Sequence, residues 1–543
     1  MRIQIWKLLA LVGALSFGTN ARGVVFNVTT AEEFQAALAT ASQNSSDDEI
    51  NLSGGVYAGN FRYKGSGGGN LTIKGSQRSD YPSIIDGLNS AYGLLIDETG
   101  SDNVAVSSPT SLEISHLRFE NIKNIGRNGA ALVLSGRPDS AATVYDLEIS
   151  IDEISEGGAI SLSGYSATIT RVFFSGSGSS AQNLIYVDCS GARTKSVALV
   201  APEIDLQNQF GGYILNTSGS CGSTDFSFES VRTWVSESSR INAFNLWSAA
   251  DIRIKDSIFG SGGLGPIYGQ NITISETEFR NMSLGFKVDR VVLLRNRFFD
   301  STANFKSRGQ RTTVSLLNNL LVNSAVSSNG INSEQIHEVE FLNNTIADTS
   351  LNLAVSESGA DSRITFINNI LSASQPSDLE INSLPNLLEA RNNIFNDVSA
   401  PNLWDIYDNN LNSSPQFHDA ESFDFHLQEN SPAIDAGSGD VATDGTFDLD
   451  GNPRLVGAGV DIGAYERYTE ALHPADTNGD SSISRTEFDT YNAAWRTNEP
   501  WPNLPASIEA DYVTRAGYLL QKGGAYKNIG VGKPATWVPA NED

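Results

Sequence analysis

Four times in the second half of the chain, a short apolar or alternating run meets a pair of asparagines. The stretches are "TTVSLLNNLL" (312–321), "HEVEFLNNTI" (337–346), "SRITFINNIL" (362–371) and "ARNNIF" (390–395). Asparagine is a poor strand former and costly to bury without partners, so the pairs mark fixed points of a repeat. Asn318–Asn319, Asn343–Asn344, Asn368–Asn369 and Asn392–Asn393 recur at steps of 25, 25 and 24 residues. Each follows a short strand pattern, precedes two further apolar residues or their equivalent, and gives way to a polar loop. Looser copies lie upstream: "LEISHLRF" (112–119), "ATITRVFF" (167–174), "IRIKDSIF" (252–259), "ITISETEF" (272–279) and "VVLLRNRFF" (291–299). A period of roughly 20–25 residues built from several short strands predicts a parallel β-solenoid. A leucine-rich repeat has a similar period, but its fixed leucine spacing is absent. In a solenoid, equivalent residues stand in columns, and stacked asparagines can bond to one another and to turn backbone. The pairs are therefore expected at one corner of a stacked coil.

A solenoid exposes strand edges at its ends and needs caps. "TTAEEFQAALATAS" (29–42) opens with a Thr cap and an acidic first turn, then sets Phe34, Ala37, Leu38 and Ala41 on one helical face. It predicts an N-terminal plug. With the strand and turn of "INLSGGVYAG" (50–59) behind it, the chain resembles the secreted right-handed parallel β-helix proteins of the pectate-lyase-like superfamily. The resemblance covers about residues 25–430 and implies an all-β, right-handed parallel β-helix. Beyond it, "SPAIDAG" (431–437), "DLDGNPR" (448–454) and "VDIGAYE" (460–466) resemble the choice-of-anchor Q domain that ends many bacterial surface β-helix proteins. That likeness implies export and carries no reaction.

Arg2 and Lys7, the apolar run 8–18 and the small-residue exit near Ala21 or Gly23 read as a secretory signal. The expected organisation is a signal peptide (1–23), a β-helix (24–430), an anchor-like region (431–468) and a helical tail (469–543). No stretch is long and apolar enough to span a membrane. A secreted or cell-surface location and a monomer are expected. Cys189 and Cys221, the two cysteines, are expected to form a disulfide between adjacent coils.

The 543 residues are 40% hydrophobic and 18% charged, which suits a folded chain. A net charge of −27 argues against nucleic acid and anionic membrane as partners, since both reward a basic face. It suits cation binding. "DTNGDSSISRTE" (476–487) has the spacing of an EF-hand or dockerin calcium loop. Asp476, Asn478 and Asp480 take positions one, three and five, Ser482 offers its carbonyl at seven, Ser484 stands at nine and Glu487 at twelve. Position six is Ser481 where glycine is usual. The helix after it is expected to pack Phe488, Tyr491 and Trp495. No second acidic loop accompanies it; "ADYVTRAGYLLQKGG" (510–524) reads as a plain helix. Asp444, Asp448 and Asp450 admit either Asx-turns or a cation.

One stretch opposes the global charge. Arg280, Lys287, Arg290, Arg295, Arg297, Lys306, Arg308 and Arg311 face only Asp289 and Asp300. Aligning "GFK" with "NFK" stacks Lys287 under Lys306; aligning the strand starts instead sets Lys287 below Arg308. β-Helix lyases resembling alginate lyase and chondroitinase B use a Lys or Arg to take the proton α to a uronate carboxylate, with calcium or Arg neutralising that carboxylate. By that resemblance Lys287, Lys306 and Arg308 are the candidate active group, with Glu276 and Glu278 as candidate ion holders. Three functions follow as expectations: a binder of extracellular polysaccharide that also holds calcium, a uronate lyase acting by β-elimination, and a structural adhesin or envelope protein.

Overall fold

The computed structural model describes residues 23–65, 69–90, 92–98, 111–124, 130–151, 153–154, 158–176, 183–189, 194–206, 213–222, 224–235, 241–308, 311–328, 336–355, 362–382, 385–399, 404–439, 447–455, 459–467, 472–497, 499, 501, 508–528, 534 and 537–541. The signal-like segment falls almost wholly outside them, as does Asp444. Among the described residues, 34 strands join in one sheet system, each strand pairing in parallel with its equivalent one coil away. The fold is a parallel β-helix. Leu316 stands in register with Phe341, Phe341 with Phe366, and Phe366 with Ala390. Side chains alternate between the two faces of a strand, so each coil points one set inward. There Phe259, Phe279 and Phe298 stack ring on ring, as do Phe286 with Phe305 and Phe341 with Phe366.

The coil length varies more than the asparagine pairs imply. Partners on neighbouring coils lie 30 residues apart at Asp188 and Ser218, 25 apart at Asn319 and Asn344, and 19 apart at Thr277 and Asn296. The strands keep register, and the connections between them absorb the difference.

The asparagine pairs stand at one corner, as expected, and divide the work there. The first of each pair has a left-handed backbone (φ 55, 55, 59 and 52° at Asn318, Asn343, Asn368 and Asn392), a conformation asparagine tolerates better than most residues. The second forms a buried ladder. Asn319 gives one amide N–H to the Asn344 side-chain oxygen (3.0 Å) and the other to the Leu293 carbonyl (2.9 Å). Asn344, Asn369 and Asn393 repeat this bonding one coil further on each time. The ladder also takes in Asn296 and Asn410 at its two ends.

The helix Ala31–Ala41 (α1) closes the N-terminal end. Thr30 caps it by accepting from the Glu33 amide, and Phe34, Ala37, Leu38 and Ala41 are buried. Phe34 packs on Tyr57 and Phe61. The cysteines are joined, with Cα atoms 5.2 Å apart, between strands that pair directly. Closing a loop of 32 residues contributes about 3–4 kcal/mol in the chain-entropy account.

A second apolar layer lies outside the coils. Leu320, Val322, Ala347, Ile370 and Ile394 face outward yet are buried, because Phe425, Leu427, Leu449, Ile462 and Ala464 cover them. Two-sided burial explains why apolar residues run on without alternation after each asparagine pair. The stretches 431–437, 448–454 and 460–466 meet in this cover. The Arg454 guanidinium donates to the Asp461 carbonyl (2.7 Å), the Asp461 amide to Glu466, and the Glu466 amide to Asp448. Burial pushes the Asp448 and Asp461 carboxyls up. Asp448 also accepts from the amides of Asp450 and Asn452, an Asx-turn. Gly463 (φ 107°) passes so close to the coils that a Cβ there would sit 2.7 Å from Ile370. The cover is held to the asparagine corner itself: Asn368 exchanges bonds with Ser438, and Asn392 donates to the Ala436 carbonyl.

The tail forms a small separate core from two helices, Arg485–Thr497 (α2) and Ala510–Gln521 (α3). Here one expectation fails. Tyr491 is fully buried and Phe488 partly so, but Trp495 is 38% exposed and Ala494 faces inward instead. The buried face runs through Glu487, Tyr491 and Ala494, and Trp495, on the opposite side of Tyr491 from Ala494, falls at its edge.

Candidate functional site

The lysines lie on the outer face of one sheet of the stack. Within the strand Glu278–Leu294, Leu284, Phe286 and Val288 point inward and are buried, so Gly285 and Lys287 point out. In Thr302–Ser307 the same alternation buries Ala303, Phe305 and Ser307 and exposes Asn304 and Lys306. Lys287 stands in register with Lys306, and Gly285 with Asn304. Of the two alignments open in the sequence, the structure takes "GFK" over "NFK". Arg308 follows Lys306 by two residues and lies 3.9 Å from Asp289.

The row continues the other way. Lys287 is in register with Tyr268, whose ring stacks on Trp247 one coil further (centroids 4.6 Å apart, planes 28° from parallel). Trp247 is 47% exposed. Trp247, Tyr268, Lys287 and Lys306 thus occupy four successive coils, and at the usual strand spacing the row is about 14 Å long. The neighbouring column carries polar side chains on both sides of Gly285. Asn245 donates to Asn216 (2.8 Å), Ser327 donates to Asn304, and Asn352 donates to Glu380 (2.9 Å). The Trp247 backbone is fixed from the next coil, since its amide donates to Thr217 and its carbonyl accepts from the Cys221 amide.

The basic stretch is less concentrated than its sequence suggests. Arg280 pairs with Glu278, Arg295 with Glu276, and Arg297 with Asp450. Glu276 and Glu278, the candidate ion holders, each face an arginine. The left-handed residue Asn281 (φ 50°) turns the chain between Glu278 and Lys287, and each glutamate is bound to an arginine. Sequence reasoning missed Trp247, Tyr268 and Gly285. The legible signal was the spacing: Trp247, Tyr268, Lys287 and Lys306 are one coil apart each time.

In the 476–487 loop, Gly479 and Ser481 are left-handed (φ 75 and 57°), and Asp476 accepts from the amides of Gly479 and Asp480. The loop's carboxylates are turned to N–H and O–H donors. Glu487 accepts from the amides of Thr477, Asn478 and Ser484; burial pushes its carboxyl up, but the Ser484 side chain and these amides together hold it below the usual range. Asp476 also accepts from the Tyr526 hydroxyl (2.6 Å). Asn478 and Asp480 bond to each other, Ser482 donates its amide to Asp480, and Ser484 caps α2 by accepting from the Glu487 amide. Among the described residues no group of three His, Cys, Asp or Glu side chains gathers in a metal-holding arrangement.

No protein-family model matches the chain, and no curated protein does. Solved structures do. A mannuronic acid-specific family 6 polysaccharide lyase from human gut microbiota aligns over 71% of this chain and 83% of its own, with 12% identity and a TM-score of 0.38. The pectate lyase Pel9A aligns over 83% and 98%, with 12% identity and a TM-score of 0.28. A family 6 polysaccharide lyase from Pseudopedobacter saltans aligns over 76% and 98%, with 10% identity and a TM-score of 0.27. At these scores the likeness carries no residue roles.

Proposed function

We propose that the protein is exported and binds extracellular acidic polysaccharide on the outer face that carries Lys287 and Lys306. One observation carries this reading: the two lysines stand in register on adjacent coils, in a chain whose net charge is −27. Two cationic side chains one strand spacing apart present adjacent N–H donors to the carboxylates of an extended chain, and a solenoid face offers such a chain a long flat bed. Affinity electrophoresis of the full chain through gels containing polyuronate should show retardation, lost in the Lys287→Ala/Lys306→Ala double variant. Equal mobility with and without polyuronate would refute binding.

The second reading is β-elimination, favoured by Arg308 standing two residues beyond Lys306 on the same strand face. A neutral lysine would take the proton α to the uronate carboxylate while Arg308 stabilises the carboxylate as it gains charge; the C4–O glycosidic bond would then break as the C4–C5 double bond forms, and the lysine ammonium so made, or water, would give a proton to the departing oxygen. New ultraviolet absorbance from an unsaturated uronate, abolished in Lys306→Ala, would establish it. Its absence with retained binding would leave the binder.

Calcium at 476–487 is a separate proposal, supported by the left-handed Ser481 and the Asp476-centred turn. Binding there would compete with the bonds Glu487 already makes. Millimolar calcium, the range of extracellular modules of this kind, should raise the thermal midpoint of the full chain, and Glu487→Gln should remove the rise. An unmoved midpoint would make the loop a self-capped acidic turn.

A further inference from the structure

Gly285 has no explanation among the described residues. It lies inside a long strand, between inward Leu284 and Phe286, and its backbone is not among the left-handed glycines. A Cβ added to it would meet nothing closer than 4.0 Å. Glycine inside a strand forfeits stability and often marks a close approach by a ligand or another backbone. The space it leaves opens beside Lys287, two residues on along the same face, and next to Asn304 on the adjoining coil. One coil beyond Lys287, on the side away from Lys306, the lysine row gives way to the Tyr268–Trp247 stack. A half-exposed tryptophan held ring on ring is an amphipathic platform with little conformational freedom left to lose.

We propose that Trp247, Tyr268 and Gly285 form a sugar subsite that continues the lysine row, and that its occupant is a ring of an acidic polysaccharide. The apolar C–H face of a pyranose lies on the Trp247–Tyr268 stack, and its edge enters the space at Gly285. The next ring along places its carboxylate at Lys287 and Lys306. Charge complementarity fixes the chain's register at the lysine end, and ring stacking holds it at the aromatic end. The subsite rests on the polysaccharide reading above, but it makes its own demand: a residue with no charge must matter as much as the lysines.

Titration of the full chain with a hexauronate, followed by calorimetry, tests this, with a neutral hexaglucan as comparison. Trp247→Ala should weaken hexauronate binding about tenfold or more, the scale of an aromatic anchor covered by its ligand. Gly285→Val should do the same while leaving the thermal midpoint unchanged or raised, because valine suits a strand and the site is open. Lys287→Ala should weaken hexauronate binding and leave any binding of the neutral hexaglucan unchanged. If the lysine variant loses affinity while Trp247→Ala and Gly285→Val bind like the wild type, the subsite is overturned and the polysaccharide reading stands. If the wild type binds neither oligomer, both fall.

Discussion

At the scale of single residues, the asparagine pairs show how one residue type serves two unrelated needs. Asn319 fills its hydrogen-bonding capacity: two N–H groups go to Asn344 and the Leu293 carbonyl, and its oxygen accepts from the Asn296 amide and side chain. Removing it strands several buried groups, each costing about 1–3 kcal/mol. Asn318 contributes its backbone conformation, and its buried side-chain oxygen has no partner. Asn318→Gly should therefore stay within about 0.5 kcal/mol of the wild type, since glycine takes a left-handed φ freely. Asn319→Ala should lose about 2–4 kcal/mol. Chemical denaturation of the two variants checks this; equal losses would refute the division. The corner was legible because the ladder repeats at a nearly constant step. Its ends were not. Asn296 follows an arginine instead of a second asparagine, and Asn410 sits in a coil of only 17 residues, which breaks the count.

At the scale of elements, the strands, α1 and the helices of the tail follow from pattern, because burial on one face leaves a period in the sequence. The cover over the outer apolar layer could not be placed that way. Its contacts join residues far apart in the chain, such as Arg297 and Asp450 (2.7 Å). His426, on the strand Asp424–Leu427, lies between Asp424 (2.5 Å) and Asp450 (2.7 Å) and packs on Tyr465. The Asp450 hydrogen bond first, with Asp424 adding to it against partial burial, pushes the imidazole up to about 9. A histidine whose folded pKa lies above its unfolded value stabilises fully below about 6.5. That contribution is lost as pH rises through about 9. The thermal midpoint should therefore fall as pH rises from about 6 to about 9, and His426→Gln should flatten the slope. An unchanged slope in the variant would show that the clamp carries no stability.

At the scale of the whole molecule, the charge distribution sets how an acidic glycan would arrive. The chain carries −27 overall, so a polyuronate meets repulsion at long range and attraction only near the lysine row. Screening separates the two distances. At 0.01 M salt the Debye length is about 30 Å, and the field of the whole acidic surface reaches the incoming chain. At 0.1 M it is about 10 Å, comparable to the row itself. Raising salt over this range should remove repulsion faster than it weakens direct lysine contacts. Beyond it, at about 1 M and a Debye length near 3 Å, the contacts themselves weaken. The association rate of a hexauronate should thus rise, pass through a maximum and fall as salt increases. A binder that steers an acidic chain by a large basic face shows a steady decline instead. Stopped-flow association of the full chain at those three salt concentrations measures it. A rate that falls monotonically from the lowest salt would mean that the glycan meets a basic face larger than the Lys287–Lys306 row.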